Sequence, residues 1–403
     1  MGRRRVEPGA PLRAVVVVSH PIQYYAPLYR ALAASPEVDL LVLFASKIGL
    51  EVRRDVLMGV DMAWNTDLIG GYPHRFLEGA DRIQHTGLFH IDNPNVGAAL
   101  AEADPDVVLL HGYGAMTNIK ALGWARLNRR PVIMISDSTI DSSAHPVRRT
   151  LKLVLARAVL AQFSAFLTLG DRGETYLKRY GVAPDRMFRC PAMIDDAFWR
   201  ARKDHAARRA AKRHDLGLGS HEVVLIAAGK LYGGKRLLDV IGALKDLDAP
   251  VRLLIAGDGE QRAELEAAAQ AAGVKADFLG FVNIDALPDL YAAADILVHA
   301  AEVEQYGMVL LEAAVVGLPI IASDRIGAIG PSSIARPDIN ALVYPCGDVP
   351  ALRAAILDLA VHADRRARFA EASLLVSEDH RGPVSIAGVV AACRRVIGGA
   401  KKA

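Results

Sequence analysis

Short, mostly apolar runs alternate with longer segments of helical periodicity along the chain. Residues 14–18, Ala-Val-Val-Val-Val, form the first run. Similar runs occupy residues 39–44, 106–110, 131–135 and 165–169. Runs of this length and composition predict parallel strands covered on both faces. The segments between them have helical periodicity and comprise residues 24–34, 95–103, 118–127, 148–160 and 173–180. The alternation predicts an open, doubly wound α/β domain.

A second strand–helix series follows a change in composition. Residues 195–220 are basic, rich in alanine and poor in large apolar side chains. Apolar runs then resume at residues 223–227, 251–256, 276–279, 296–299 and 319–322. The predicted organisation is a first domain, a basic linker, a second domain, and a C-terminal helix with a tail, at residues 1–195, 196–220, 221–380 and 381–403. Two Rossmann-like domains of this kind bind ligands in a cleft at the carboxyl ends of their strands.

Length and composition fit this organisation. The 403 residues are 52% hydrophobic and 23% charged, which suits two folded domains and excludes a disordered chain. Cys190, Cys346 and Cys393 stand far apart, so neither a disulfide framework nor a zinc site is expected and a reducing cytosol fits. The N-terminal arginines are followed by Val-Glu-Pro-Gly-Ala-Pro, which is not the apolar region of a signal peptide, and charges interrupt the longest apolar stretch. We therefore expect no signal peptide and no membrane span.

Basic residues cluster in two places, although the net charge is only +3. One cluster is the N-terminal run from Arg3 to Arg5. The other comprises Arg200, Arg202, Lys203, Arg208, Arg209, Lys212 and Arg213. Two interpretations stay open, a solvated helix face near a linker and contact with anionic lipid or an anionic acceptor. No recognition motif accompanies the charge, so nucleic-acid binding is not expected.

A strand, an acidic loop and an apolar helix follow one another between His299 and Leu318. Glu302 and Glu304 fall in the loop, and Glu312 falls inside the helix. A buried glutamate requires a partner, either a protein cation or a polar ligand. Because a carboxylate can accept two hydroxyl donors, a ribose diol would satisfy Glu312.

The start of the same helix offers backbone donors. The amides of Gly307, Met308 and Val309 have no intrahelical acceptor, which favours an anion or a sugar oxygen at this point. An ordinary helix-entry loop with stray acidic residues is the alternative interpretation.

A glycine-rich turn follows the first strand of the second series, in the segment Ala227-Ala-Gly-Lys-Leu-Tyr-Gly-Gly-Lys-Arg236. Glycines allow a ligand to approach the backbone closely, and Lys230 and Lys235 suit a diphosphate. The spacing is not that of a Walker A motif. A plain strand–turn–helix with solvent-exposed lysines remains the alternative.

Three polar residues follow strands of the first series: His20, His111 and Asp137. Each would lie at the carboxyl edge of the sheet, as a candidate cleft residue or as a structural one. The helix after His20 could also direct its amides toward a phosphate. HExxH and GxSxG motifs are absent from the sequence, and we expect no metal ion in the mechanism.

Taken in order, these segments resemble the family-4 (group 1) glycosyltransferases of GT-B fold, most closely between residues 223 and 359. Glu304 and Glu312 fit the E-x7-E signature of that family. The other matching segments are Gly229-Lys-Leu through Lys235, Ala256-Gly-Asp-Gly, Phe278-Leu-Gly-Phe-Val, Gly317-Leu-Pro-Ile-Ile-Ala-Ser and Asn340-Ala-Leu-Val.

The resemblance implies a fold and an activity. It implies two facing Rossmann-like domains with a cleft between them and a C-terminal helix that returns to the first domain. The implied reaction moves a sugar, with retention of configuration, from a nucleoside-diphosphate sugar to a hydroxyl acceptor, without metal or cofactor. The acceptor would be a saccharide, a lipid-linked saccharide or a small metabolite, in cell-surface glycan, glycoconjugate or metabolite biosynthesis. The protein would be cytoplasmic, with contact at the inner membrane face left open.

The resemblance also implies residue roles. Lys230 and Lys235 would hold the donor diphosphate, and Glu312 would bind the ribose hydroxyls. Glu304 would lie beside the transferred sugar, whose hydroxyls the amides of residues 307–309 would bind. His111 resembles the histidine that contacts the donor sugar from the first domain.

The sequence departs from the family pattern in places. His20-Pro-Ile-Gln-Tyr-Tyr stands where a Gly-Gly loop is common, and Lys230 stands where arginine is common, which removes a bidentate phosphate contact. The poorly matched residues 51–90 predict an unusual acceptor. A sugar-nucleotide epimerase of GT-B-like fold and a non-catalytic nucleotide-sugar-binding protein are the alternatives. The first would need acids and histidines placed for elimination, and the second would be expected to lack Glu304 or Lys235.

Overall fold

The computed structural model describes residues 10–50, 53–54, 61–62, 65–137, 146–195, 198–199 and 205–399. It confirms the predicted fold class, because the chain forms two compact α/β units, each around a parallel sheet. The first unit contains the described residues of the ranges 1–51, 67–193 and 381–403. The second contains the described residues of the ranges 52–66 and 194–380.

The strands and helices alternate as the hydrophobic pattern predicts. The strands are β1 (Leu12–Val18), β2 (Val38–Phe44), β3 (Arg53–Arg54), β4 (Asp61–Met62), β5 (His74–Phe76), β6 (Val107–His111), β7 (Val132–Ser136), β8 (Ala165–Thr168), β9 (Met187–Arg189), β10 (Val223–Ala228), β11 (Val251–Ala256), β12 (Ala276–Gly280), β13 (Ile296–His299), β14 (Ile320–Ser323) and β15 (Ala341–Tyr344). The helices are α1 (Ala26–Ala33), α2 (Val96–Ala103), α3 (Met116–Leu127), α4 (Pro146–Leu160), α5 (Asp171–Arg179), α6 (His205–Asp215), α7 (Leu237–Leu244), α8 (Arg262–Ala271), α9 (Leu287–Ala293), α10 (Met308–Val315), α11 (Val349–Val361), α12 (Ala363–Glu378) and α13 (Gly382–Gly399).

The first unit is built on a seven-stranded parallel sheet in the order β5-β2-β1-β6-β7-β8-β9. Alternate residues of β1 enter different cores, Val16 on one face and Val17 on the other. The first of these cores also takes Val389 and Cys393 from α13. The C-terminal helix therefore packs on the first sheet, where the sequence predicts it.

The second unit is built on a six-stranded parallel sheet in the order β12-β11-β10-β13-β14-β15. In both sheets the strand order reverses beside the unit's first strand, between β1 and β6 and between β10 and β13. Such a reversal opens a crevice at the carboxyl ends of the two strands, which is where open α/β sheets bind ligands.

The basic segment interpreted as a linker contains helix α6, which packs on α9. Arg208 donates two hydrogen bonds to Asp289, at 2.6 and 2.5 Å. Arg209 and Arg213 both donate to Asp295, at 2.6 and 3.2 Å. These three arginines thus dock a helix within the second unit, which favours a structural role for them over lipid contact. Arg3 to Arg5, Arg200, Arg202 and Lys203 lie outside the described residues.

Among the described residues, no helix combines the length and the apolar character that a bilayer span requires.

Candidate functional site

The switch point of the second sheet brings together two loops that the sequence analysis singled out. One loop follows β10 and carries Lys230 and Lys235, and the other follows β13 and carries Glu302 and Glu304. Because β10 and β13 are neighbours in register, their carboxyl ends open onto the same crevice. The predicted donor-binding residues therefore converge on the position where the topology places a ligand.

Backbone packing without side chains shapes the glycine-rich turn. The amide of Gly229 donates to Ala256 O and that of Leu231 donates to Asp258 O, both at 2.9 Å. A Cβ added at Gly257 would lie only 1.8 Å from the carbonyl oxygen of Gly229. The Gly-Asp-Gly segment after β11 thus holds the lysine-bearing turn in place and requires glycine to do so.

Lys235 reaches back across this turn to Glu304. A Cβ at Gly229 would lie 3.8 Å from Cε of Lys235, so the lysine side chain crosses the end of β10. Its Nζ donates to Oε2 of Glu304 at 2.5 Å. His299, the last residue of β13, places its Nε2 3.3 Å from the same oxygen.

These neighbours determine the charge of Glu304. Burial alone would raise the pKa of Glu304, but the hydrogen bond from His299 and the charge of Lys235 outweigh it and lower the pKa to about 2. Burial lowers the pKa of His299, and the charge of Lys235 lowers it further, against the hydrogen bond with Glu304. At neutral pH the cluster is therefore a carboxylate held by an ammonium group and a neutral imidazole.

The loop after β13 is fixed by backbone hydrogen bonds at several points. The amide of Glu302 donates to Gly234 O at 2.8 Å, and the amide of Gly327 donates to Glu304 O at 3.0 Å. Gly307 then adopts a left-handed conformation, with φ of 96°, and caps α10. The helix itself begins at Met308, so Gly307 is the cap residue and Met308 and Val309 supply the first-turn amides.

Glu312 lies inside α10 and is buried, as the sequence predicts. The hydroxyl of Tyr291, on α9, donates to its Oε2 at 2.9 Å. A phenol hydroxyl satisfies part of the carboxylate without neutralising it, and a carboxylate has several lone pairs. Binding of ribose hydroxyls by Glu312 stays a prediction.

His111 and His20 flank the switch point of the first sheet, at the ends of β6 and β1. The hydroxyl of Tyr29 is hydrogen-bonded to Nε2 of His111 at 2.6 Å. Asn118 donates to the carbonyl oxygens of His111 and Gly112, at 2.8 and 3.2 Å, which fixes the loop after β6. His111 as a whole is half-buried, and burial lowers the pKa of its imidazole to about 3. The imidazole is therefore neutral and suited to hydrogen bonding rather than to carrying a charge.

The turn after β1 does not expose the amides expected to face a phosphate. The amides of Tyr25 and Ala26 both donate to Ile22 O, at 3.0 and 3.2 Å, and proline occupies the helix start. His20 is held by Ser19, whose Oγ lies 2.8 Å from Nδ1, and burial lowers its pKa. Two of the amides that could have faced a phosphate therefore donate within the turn.

The candidate residues thus form two groups. Lys230, Lys235, Glu304, Met308 and Glu312 belong to the second unit, whereas His20 and His111 meet at the switch point of the first. Asp137 lies at the end of the next strand, β7, and is exposed.

The sequence analysis did not identify His299 as a member of the Glu304 cluster, because it interpreted this residue only as the end of a strand. Its signal was a histidine at the last position of an apolar strand, five residues before an acidic loop position.

Residues 208–374 match the family model of the group 1 glycosyl transferases. The chain is 33% identical over 256 residues to a GDP-mannose-dependent alpha-(1-6)-phosphatidylinositol dimannoside mannosyltransferase of Mycobacterium tuberculosis, covering 60% of this chain and 64% of that protein. It is 28% identical over 222 residues to an alpha-D-kanosaminyltransferase of Streptomyces kanamyceticus, covering 53% of this chain and 56% of that protein. The chain thus spans little more than half the length of these curated relatives.

Solved structures share the fold over nearly the whole chain. Anabaena HepE, crystallised with UDP and glucose, superposes with a TM-score of 0.69 and 17% identity, over 97% of this chain and all of that one. WaaG, a glycosyltransferase involved in lipopolysaccharide biosynthesis, superposes with a TM-score of 0.63 and 17% identity, over 96% of this chain and all of that one. This likeness agrees with the two Rossmann-like units that the sequence predicts.

Proposed function

We propose that this protein is a group 1 glycosyltransferase that moves a sugar from a nucleoside-diphosphate sugar to a hydroxyl acceptor. The observation that carries the proposal is the Lys235–Glu304 pair at the switch point of the second sheet. Both residues fall within the segment that matches the group 1 model. A cation and a carboxylate at this point suit the two ends of a diphosphate sugar, which are the anionic phosphates and the hydroxyl-bearing ring.

In this proposal each residue serves one part of the donor. Lys230 and Lys235 bind the diphosphate and stabilise the negative charge that develops on it as the bond to the sugar breaks. Glu304 and the amides of Met308 and Val309 receive the sugar hydroxyls, and Glu312 receives those of the ribose. The carboxylate of Glu304 suits the role of an acceptor, since its low pKa keeps it ionised.

The stereochemical part of the proposal is retention without a metal ion. The acceptor hydroxyl attacks the anomeric carbon from the face that the phosphate leaves, and its proton passes to the departing phosphate oxygen. His111 contacts the donor sugar as a neutral hydrogen-bonding group, which its low pKa supports.

Relatives narrow the candidate donors and acceptors. HepE binds UDP and glucose, and the mycobacterial relative is GDP-mannose-dependent, so uridine and guanosine donors are the first to test. The relatives' names include a phosphatidylinositol mannoside and an aminosugar transfer. We therefore propose a lipid-linked saccharide, another saccharide or a small metabolite as the acceptor, used in the cytoplasm.

A thermal-shift screen of UDP-, GDP- and ADP-sugars tests the proposal, because a ligand that binds only the folded state raises Tm. We expect at least one nucleotide sugar to raise Tm and to be consumed with release of its nucleoside diphosphate. Transfer should survive EDTA, and product NMR should show the donor's anomeric configuration.

Absence of any stabilising nucleotide sugar would refute the function. Binding without turnover on any acceptor would favour the non-catalytic alternative, and metal-dependent recovery after EDTA would overturn metal independence.

A further inference from the structure

His299 is a buried histidine whose ring contacts a side chain of the acidic loop. It ends β13, only 4% of its surface is exposed, and its Nε2 lies 3.3 Å from Oε2 of Glu304. A buried polar group needs a hydrogen-bonding partner, and Glu304 supplies one. The backbone of the loop is anchored independently at Glu302 and Gly327, so the contact bears on the side chain of Glu304.

Both partners of Glu304 bind the same carboxylate oxygen. Nζ of Lys235 lies 2.5 Å from Oε2, and Nε2 of His299 approaches that oxygen as well. Within the part of the chain that the structure describes, no hydrogen bond reaches Oε1. Two donors on one oxygen fix the orientation of the carboxylate and leave the other oxygen for a ligand hydroxyl.

Two anions compete for the ammonium group of Lys235, the Glu304 carboxylate and the proposed donor diphosphate. Under the proposed function its ammonium group binds the donor diphosphate, which draws it toward the phosphates and away from Glu304. Loss of the cation destabilises a partly buried carboxylate and removes one of the contacts that fix its orientation. Among the residues that the structure describes, Lys235 and His299 are the titratable groups that face Glu304, so His299 is the partner that stays.

We infer that His299 is a positioning residue, which holds the Glu304 carboxylate in place when Lys235 turns to the donor diphosphate. The inference rests on the proposed function. His299 itself touches neither the donor nor the acceptor in this account, and acts by directing Oε1 toward the transferred sugar.

His299→Ala and His299→Gln test this role, because glutamine keeps an N–H donor and alanine does not. Hydrogen bonds to charged groups contribute enough that kcat should fall about tenfold to a hundredfold in H299A. The Kd for the nucleoside diphosphate should stay within about twofold, because Lys235 is unchanged. H299Q should recover most of kcat. His380→Ala, which removes another buried histidine of the second unit, should leave kcat unchanged.

The pH dependence of kcat separates positioning from a general packing defect. Loss of the His299 hydrogen bond raises the pKa of Glu304, so H299A should lose activity below about pH 5 where the wild type and H299Q do not. Three results would each overturn the inference. In the first, H299A loses kcat and nucleotide affinity equally. In the second, the acid limb of its pH profile does not move, and in the third, H299Q is as impaired as H299A.

A measurement on the donor-free protein separates failure of this inference from failure of the proposed function. Ring 15N NMR, assigned by the signal missing in H299Q, should show a neutral imidazole protonated at Nε2 that shifts in Glu304→Gln. If this holds but no nucleotide sugar binds, the contact stands, whereas the transferase function and the positioning role fall together. A ring that does not respond to E304Q overturns the inference even if transfer is observed.

Discussion

Glu304 and His111 show how the same fold gives two polar side chains opposite electrostatic states. Glu304 has an ammonium group and an imidazole on one oxygen and stays ionised down to a pKa of about 2. His111 has a phenol hydroxyl beside its ring, and burial lowers its pKa to about 3. One is therefore a permanent anion and the other a permanent neutral donor or acceptor at physiological pH.

The neutral state of His111 predicts a pH-dependent stability. The unfolded chain binds the proton near the ordinary pKa of 6.5 and the folded chain near 3. Between these values the unfolded state holds more protons, so the free energy of unfolding falls as pH is lowered. Between pH 7 and 4.5 the wild type should lose on the order of 2 kcal/mol more than His111→Gln. Urea unfolding at the two pH values measures the difference.

The exposed His214 provides the control for this comparison. Its side chain is 92% exposed, so His214→Gln should follow the wild type at both pH values. Equal pH dependence in the wild type and H111Q would contradict the assigned state of His111.

At this scale the sequence predicts residues whose position follows from strand order. Lys235, Glu304 and His111 follow predicted strands, and the sheet brings them to switch points. The His299–Glu304 contact could not be predicted, because it depends on how the loop of residues 300–303 turns back on its own strand. The Tyr29–His111 contact is likewise invisible, since the residues are 82 positions apart.

At the scale of elements, the turn after β11 leaves no room for a side chain at Gly257. A Cβ at Gly257 would overlap the carbonyl oxygen of Gly229. Gly257→Ala should therefore separate the two turns and lower the free energy of unfolding by about 2 kcal/mol or more. Thermal unfolding of the purified variant measures the loss.

Gly242→Ala is the matched control in the same unit. Gly242 lies within α7, and its nearest atom to a new Cβ is 3.7 Å away. Alanine in a helix interior should be neutral or stabilise by up to about 1 kcal/mol. Similar stability changes in the two variants would contradict the steric account of Gly257.

Elements with a clear apolar run are those that the sequence predicts well. The strands β11 and β13 have the predicted bounds, and β1 begins two residues earlier. Helix α12 escaped prediction because its sixteen residues are rich in charge and alanine, and its burial comes from packing on α10 and α11. The docking of helix α6 escaped for a similar reason, since ion pairs rather than an apolar stripe hold it.

At the scale of the whole molecule, the C-terminal helix α13 packs against the sheet that contains the first strand, β1. Val389, Val390 and Cys393 are buried in the core that contains β1, and Gly388 lies against the backbone of Arg189. Deletion of residues 382–403 should therefore abolish cooperative unfolding of the first unit, since it removes a face of its core. Circular dichroism during heating and limited proteolysis report the change.

Arg394→Ala combined with Arg395→Ala is the control for that deletion. It removes the exposed ion pairs of α13 with Glu37 and Asp185 and should cost only about 1 kcal/mol. A control that unfolds as readily as the truncated chain would show that the ion pairs, and not apolar burial, hold the helix.

At the same scale, the fold is predictable because the alternation of apolar runs specifies two parallel sheets. The donor base, the sugar and the acceptor of the proposed reaction are not predictable, since this alternation specifies strands and helices and not the side chains that select a ligand.

Calorimetric titration of the unliganded protein with UDP and GDP tests the donor-diphosphate site most directly. The wild type should bind at least one of the two, and Lys235→Ala should bind it at least about tenfold more weakly, since a charge-assisted hydrogen bond to phosphate is lost. Lys275→Ala removes an exposed lysine paired with Glu222 and should bind as the wild type does. Undiminished affinity in K235A, or no binding by the wild type, would contradict the proposed site.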